Sequence, residues 1–335
     1  MALYSSIILL PSTPVLMSKL TKRTTLLGCL AAAGVTLIWS MWLVISRAGA
    51  QSTLNAYDLT AIRYGVSAVF SLPIVLHYKP WRNMSILRIA GLSMLLGPGY
   101  ILCVYFAFDY APAAHGGIFM NGALPAITLL FSYWFLKQAS TRIQLAGLVL
   151  ILGGAALSAA DLSGLSIPGA WRGDIMFVVA AVFFAGYLIA ARAWGVTPTQ
   201  VMLCSSIVNA ILFVPVWYFL LPSGLSEVED GQLYLQLFYQ GLVPGLLGLL
   251  LVAYATRTIG PAPTSAFIAA VPALGVVLGI IFLNEIPGHI GWVGLAVLTP
   301  GILMVSLGGR SMGGRSMGGR SMGCLLYTSP SPRDS

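Results

Sequence analysis

Ten apolar runs follow one another between residues 24 and 307, each long enough to cross the hydrocarbon core of a bilayer, which takes about 20 helical residues. We place them at 24–48, 57–78, 86–108, 111–136, 142–160, 173–192, 197–221, 234–257, 261–284 and 287–307. In lipid a backbone N–H or C=O has no water to bond, so each run must satisfy its own polar groups, and helices follow. The loops between runs are short, which makes successive helices antiparallel neighbours. Composition agrees: 58% of residues are hydrophobic and 8% are charged, against roughly 25% charged in a soluble domain. The net charge of +8 is no nucleic-acid patch, because the basic residues are scattered through short loops. No nucleic-acid partner is therefore expected; the expected partners are the bilayer and a small-molecule substrate. The expected fold class is an all-α integral membrane protein.

The second constraint is an internal repeat. A shift of about 147 positions lays Ala123 on Ala270, Pro125 on Pro272, Phe135 on Phe282, Gly147 on Gly294 and Gly154 on Gly301. The Gly97-Pro98-Gly99 break has its echo at Pro244-Gly245. Each copy holds five runs, residues 24–160 and 173–307. Five is odd, so the second copy enters the membrane upside down, giving ten transmembrane helices as two inverted five-helix repeats. The kinks at Gly97, Pro98, Gly99, Pro125, Pro244, Gly245 and Pro272 admit two readings, hinges that open gates or sites of close helix contact. A proline in a spanning helix also frees a carbonyl that a solute or water can use.

Charge sets direction. Lys19, Lys22, Arg23, Lys79, Arg82, Arg88, Lys137, Arg142, Arg192, Arg257, Arg310, Arg315 and Arg320 fall on one side, and only Arg47 and Arg172 fall on the other. The positive-inside rule then predicts an inner (plasma) membrane protein with both termini cytoplasmic. Residues 1–16 read as an over-extension of the reading frame, with Met17 the natural start. Gly-Gly-Arg-Ser-Met recurs from Gly308, a low-complexity tail. Residues 324–335 read as translated adapter sequence.

Candidate site residues are those that lipid tolerates badly. Arg63 is the one basic residue well inside an apolar run. It either snorkels to the nearby end of its helix or touches substrate or a gate. His115 can carry a proton or simply pack. Phe119 follows at helical spacing, on the same face. Trp39 and Ser40 suit a cavity wall, whereas Trp42 suits the interfacial belt. Tyr100, Tyr105, Tyr187 and Tyr254 either line a mostly apolar pocket or pack between helices. The scattered cysteines give neither a disulfide framework nor a metal centre. No loop is long enough for a nucleotide-binding domain, and no HExxH or P-loop occurs. No cofactor and no catalytic residue are expected.

Ile38-Trp39-Ser40, Arg63-Tyr64, Tyr110-Ala111-Pro112-Ala113-Ala114 with Leu124-Pro125, and Val271-Pro272 with Leu283-Asn284-Glu285 together resemble the EamA family of the drug/metabolite transporter superfamily. The resemblance covers residues 24–308. It implies a secondary carrier of small metabolites, often outward, with a cavity lined by both halves. One departure stands out: the family often carries Glu where this chain has Gln138, while the second half keeps Glu285. The expected function is an exporter or facilitator of small organic metabolites, such as amino acids or amphipathic compounds, by alternating access. A membrane-embedded enzyme acting on lipid-linked substrates and a channel-like pore remain open alternatives.

Overall fold

The computed structural model describes residues 14–161 and 168–308; the readings made on residues 1–13 and on the tail after Gly308 lie outside them. Among the described residues, ten helices are long and apolar enough to cross a membrane. We number them α1 (Thr24–Ala50), α2 (Ala56–Tyr78), α3 (Ile86–Tyr110), α4 (Ala113–Leu136), α5 (Arg142–Ala159), α6 (Ala170–Trp194), α7 (Pro198–Leu220), α8 (Asp230–Ile259), α9 (Pro263–Leu283) and α10 (His289–Gly308). Each overlaps one of the ten apolar runs.

The sequence explains several of the ends. Asn55 caps α2 by accepting from the N–H groups of Tyr57 and Asp58, and Asp58 returns the bond to the Asn55 N–H. Thr141 and Gln144 make the same reciprocal box at the start of α5. Such boxes satisfy amides that would otherwise be orphaned at a helix start. α4 and α9 end alike, with Lys137 (φ 53°) and Asn284 (φ 55°) in the left-handed conformation.

Packing carries the repeat into three dimensions. α1 packs on α8 and α9; α6 packs on α3 and α4; α2 meets α8, and α7 meets α3. The α2–α7 and α5–α10 pairs each contain both members of a repeat-related pair. Adding or subtracting five therefore maps this set of contacts onto itself, as two inverted copies about a pseudo-twofold axis require. The most extensive pair is α5 with α10. A Cβ on Gly154 would stand 2.6 Å from the Gly294 carbonyl, and one on Gly147 would stand 2.8 Å from the Gly301 carbonyl. Those glycines let the two backbones touch. Large apolar side chains such as Ile86, Phe135, Val149 and Phe219 point outward; a bundle that buries its few polar groups and exposes these is built for lipid.

Four of the irregular stretches fall where the two copies correspond, whereas the π-helix over Leu203–Val208 of α7 has no counterpart in α2. α3 breaks at Leu96–Gly97, before Pro98. α8 widens to a π-helix over Val243–Leu247. α4 is π-wound over Gly116–Gly122, and α9 is interrupted after Ile268. The carbonyls at two of these breaks are already engaged. The Leu96 carbonyl accepts from the Tyr64 hydroxyl at 2.9 Å and from Asn209 Nδ2 at 3.4 Å, and the Gly241 carbonyl accepts from Ser67 Oγ at 2.7 Å. Tyr64 and Ser67 share a face of α2, so α2 is fastened to both kinked helices at once.

Candidate functional site

A polar cluster lies between α1, α2, α3 and α8. Gln240 on α8 is its centre. Its Oε1 accepts from Trp42 Nε1 at 2.7 Å and from the Tyr105 hydroxyl at 3.0 Å. Its Nε2 donates to Ser46 Oγ at 3.1 Å and to Gln236 Oε1 at 3.0 Å. Gln236 Nε2 in turn donates to the Ile45 carbonyl at 2.8 Å. Both glutamines are fully buried, and every polar atom of Gln240 is engaged, as burial in an apolar bundle demands.

Arg63 rests on this network. Its guanidinium carbon is 5.4 Å from the centre of the Trp42 ring, a cation–π contact. The phenols of Tyr64, Tyr100 and Tyr105 surround it. Among the described residues no carboxylate forms an ion pair with it, and its Nη1 is buried without a hydrogen-bond partner. An uncompensated arginine at bilayer depth costs roughly 3 kcal/mol on insertion scales. Tyr100 stacks on Phe184 at 5.7 Å, and Phe184 meets Tyr187 at 5.4 Å, so an aromatic ladder on α3 and α6 leads away from the arginine.

The two ends of the bundle carry repeat-related contacts. At one rim Arg47, near the end of α1, donates from Nε to Glu285 Oε1 at 2.9 Å and from Nη1 to the Phe108 carbonyl. Glu285 Oε2 accepts the N–H of Ala113, the first residue of α4, at 2.7 Å. Arg47 and Glu285 are both buried, and the pair ties α1, α3, α4 and α9 together. At the opposite rim Arg192, near the end of α6, donates to Gln138 Oε1 at 2.9 Å, just past the end of α4. Gln138 is the counterpart of Glu285 under the repeat shift, and Arg192 lies within two residues of the counterpart of Arg47. On the Arg47 side, His115 Nδ1 lies 2.7 Å from Asp174 Oδ1, and its ring packs on Phe119 at 5.5 Å.

The structure thus brings Arg63, Tyr100 and Tyr105 to one place and puts His115 with Phe119 at another. Trp39 is half-buried; a methyl added to Gly248 would come within 3.0 Å of its indole nitrogen. Ser40 is buried, with its hydroxyl donating to the Thr36 carbonyl at 2.8 Å and reaching the Val271 carbonyl at 3.2 Å. Tyr187 packs with Leu92, Leu96, Val201 and Cys204. Tyr254 is 42% exposed and stands apart from the Gln240 cluster. Of the kink residues, Pro272 presses its backbone on Gly117, whereas a Cβ on Gly245 would meet nothing within 4 Å. The interfacial reading of Trp42 is corrected: the ring is 6% exposed, beneath Arg63, with its N–H spent on Gln240. Gln240 and Gln236 went unnoticed in the sequence. Their signal was two amides at i, i+4 in an apolar run, which puts both on one helical face.

Comparison with known proteins gives this geometry its setting. The model of the EamA-like transporter family matches residues 26–160 and again residues 171–307. "Uncharacterized transporter YwfM" of Bacillus subtilis (strain 168) is 26% identical over 243 residues, covering 70% of this chain and 77% of its own. The "Probable terminal-alkyne amino-acid exporter" of Streptantibioticus cattleyicolor is 22% identical over 241 residues, covering 71% and 78%. A solved crystal structure superposes with a TM-score of 0.57 at 20% identity, covering 86% of this chain and 98% of its own. That likeness bears on fold alone.

Proposed function

The chain belongs to the EamA-like transporter family, and from that premise we propose that it is a secondary carrier, exporting or equilibrating small organic metabolites by alternating access. The observation that carries this reading is the pair of rim contacts. Arg47–Glu285 and Arg192–Gln138 occupy matching places in two inverted copies and so lie at opposite ends of the bundle. Both contacts are made in this structure, and rocking one repeat against the other would open either one while the other stays shut, about a polar cluster held between them. The relative named as an amino-acid exporter supports amino acids as the substrate class. Basic loops support an orientation with the Arg192 rim and both termini on the cytoplasmic side of the plasma membrane and the Arg47 rim outside.

The His115–Asp174 pair favours one refinement, in which a proton is exchanged for solute from the outer side. Flux of labelled amino acids in proteoliposomes tests both statements. A carrier shows saturable uptake accelerated by unlabelled solute on the opposite side, and a pore shows no such trans-stimulation. With proton exchange, a pH gradient drives uphill flux in the wild type, and His115→Gln loses the uphill component while retaining downhill exchange. Flux indifferent to the gradient leaves plain facilitation.

A further inference from the structure

Arg63 bonds to the Tyr105 hydroxyl, yet its Nη1 is buried without a hydrogen-bond partner. Gln240 is saturated by four partners. The Tyr64 hydroxyl is committed to the Leu96 carbonyl, and the Tyr105 hydroxyl to Gln240. The arginine has Trp42 beneath it, tyrosines around it, no carboxylate paired with it among the described residues, and a buried Nη1 with nothing to donate to. Nor is its charge steadied by the rim: the nearby acid Asp58, five residues earlier on α2, already accepts from Trp217 Nε1 at 2.8 Å and from the Gly224 N–H at 2.9 Å. A half-buried cation in an aromatic surround, bonded to the Tyr105 hydroxyl but with Nη1 left without an acceptor, lacks an anion, and none of the described residues supplies it.

We propose that the transported solute supplies it: Arg63 seats a carboxylate of the solute, whose remaining bulk lies against Trp42, Tyr100 and Tyr105. This rests on the carrier reading above and adds the substrate's chemical class. A carboxylate fits better than a phosphate, because one guanidinium matches its two oxygens with two parallel bonds and cancels its single charge. A phosphate dianion would leave a surplus negative charge in the bundle. The same pairing explains how an arginine can be kept among apolar helices, since the loaded protein holds a neutral pair at that depth.

The test is equilibrium binding to the purified full chain, read by tryptophan fluorescence, of acetate, butyrate, 3-phenylpropionate and phenylalanine. 3-Phenylpropionamide, 3-phenylpropylamine and phenylphosphonate serve as counterparts. The expected result is that 3-phenylpropionate binds roughly tenfold or more tightly than its amide, the usual scale for a charge-assisted bidentate bond. Arg63→Gln abolishes that preference without weakening the amide, and Arg63→Lys keeps part of it. Equal binding of acid and amide by the wild type overturns the inference, a comparison that stands even if Arg63→Gln does not fold. So does tighter binding of the phosphonate, survival of the preference in a folded Arg63→Gln, or failure of every acid to bind. Proteoliposome flux separates this inference from the reading beneath it. Carriage of the amine or amide with no preference for acids sinks the carboxylate seat and leaves the carrier; acid binding lost in Arg63→Gln, with no flux of any probe, does the reverse.

Discussion

Glu285 shows how much one side chain can hold. One oxygen takes the Arg47 guanidinium and the other takes the first N–H of α4. Both members of the ion pair are buried, so removing one strands the other. Glu285→Gln should cost about 3 kcal/mol, the lower end for breaking a buried pair from one side. Thermal unfolding in detergent checks it, and the Arg47→Gln, Glu285→Gln double variant should lose less than the sum of the two single ones. At this scale the sequence was legible where charge was anomalous: Arg63 and His115 announce themselves because lipid makes them costly. It was less legible where partners lie far apart along the chain. Nothing local reveals that Asp174 meets a histidine 59 residues away or that Glu285 meets an arginine 238 residues away. The Gln236–Gln240 pair was quieter still, since an amide carries no charge.

Among elements, the α5–α10 contact is the firmest statement the repeat makes. Gly147 and Gly154 of one copy meet Gly301 and Gly294 of the other backbone to backbone. Neither backbone can yield as a side chain would. Gly154→Val should therefore destabilise by about 3 kcal/mol through overpacking, whereas the same change at Gly153, which has nothing within 4 Å, should be nearly silent. Folded yield by fluorescence-detected gel filtration, with melting temperature alongside, distinguishes the two. The helices and their count were plain in the apolar runs, because bilayer thickness fixes length. The break at Gly97-Pro98 lies on a Gly-Pro signal, but the π-helix over Leu203–Val208 carries neither residue. The fate of the freed carbonyls was not plain, since Tyr64 and Ser67 on α2 fill two of them from a distance in sequence that no period encodes.

The whole molecule is two near copies related by inversion, and such copies alone cannot decide which face of the membrane is offered first. Gln138 breaks the tie. Where the second copy fastens its rim with a carboxylate, the first has an amide, so a buried ion pair at one end is balanced only by a single arginine–amide bond at the other. The ion pair adds the attraction of two full charges, which an arginine–amide bond lacks. Gln138→Glu should even the contest, shifting the empty protein by about 1 kcal/mol, or several-fold in population. Maleimide labelling of a cysteine placed beside Arg192 reads it: labelling slows in the variant, and an unchanged rate would mean that the rims do not set the balance. With the proposed orientation, the unloaded carrier would idle with its mouth toward the cytoplasm, where it would collect solute. One uncharged side chain then gives a structure of matching halves a preferred sense of departure.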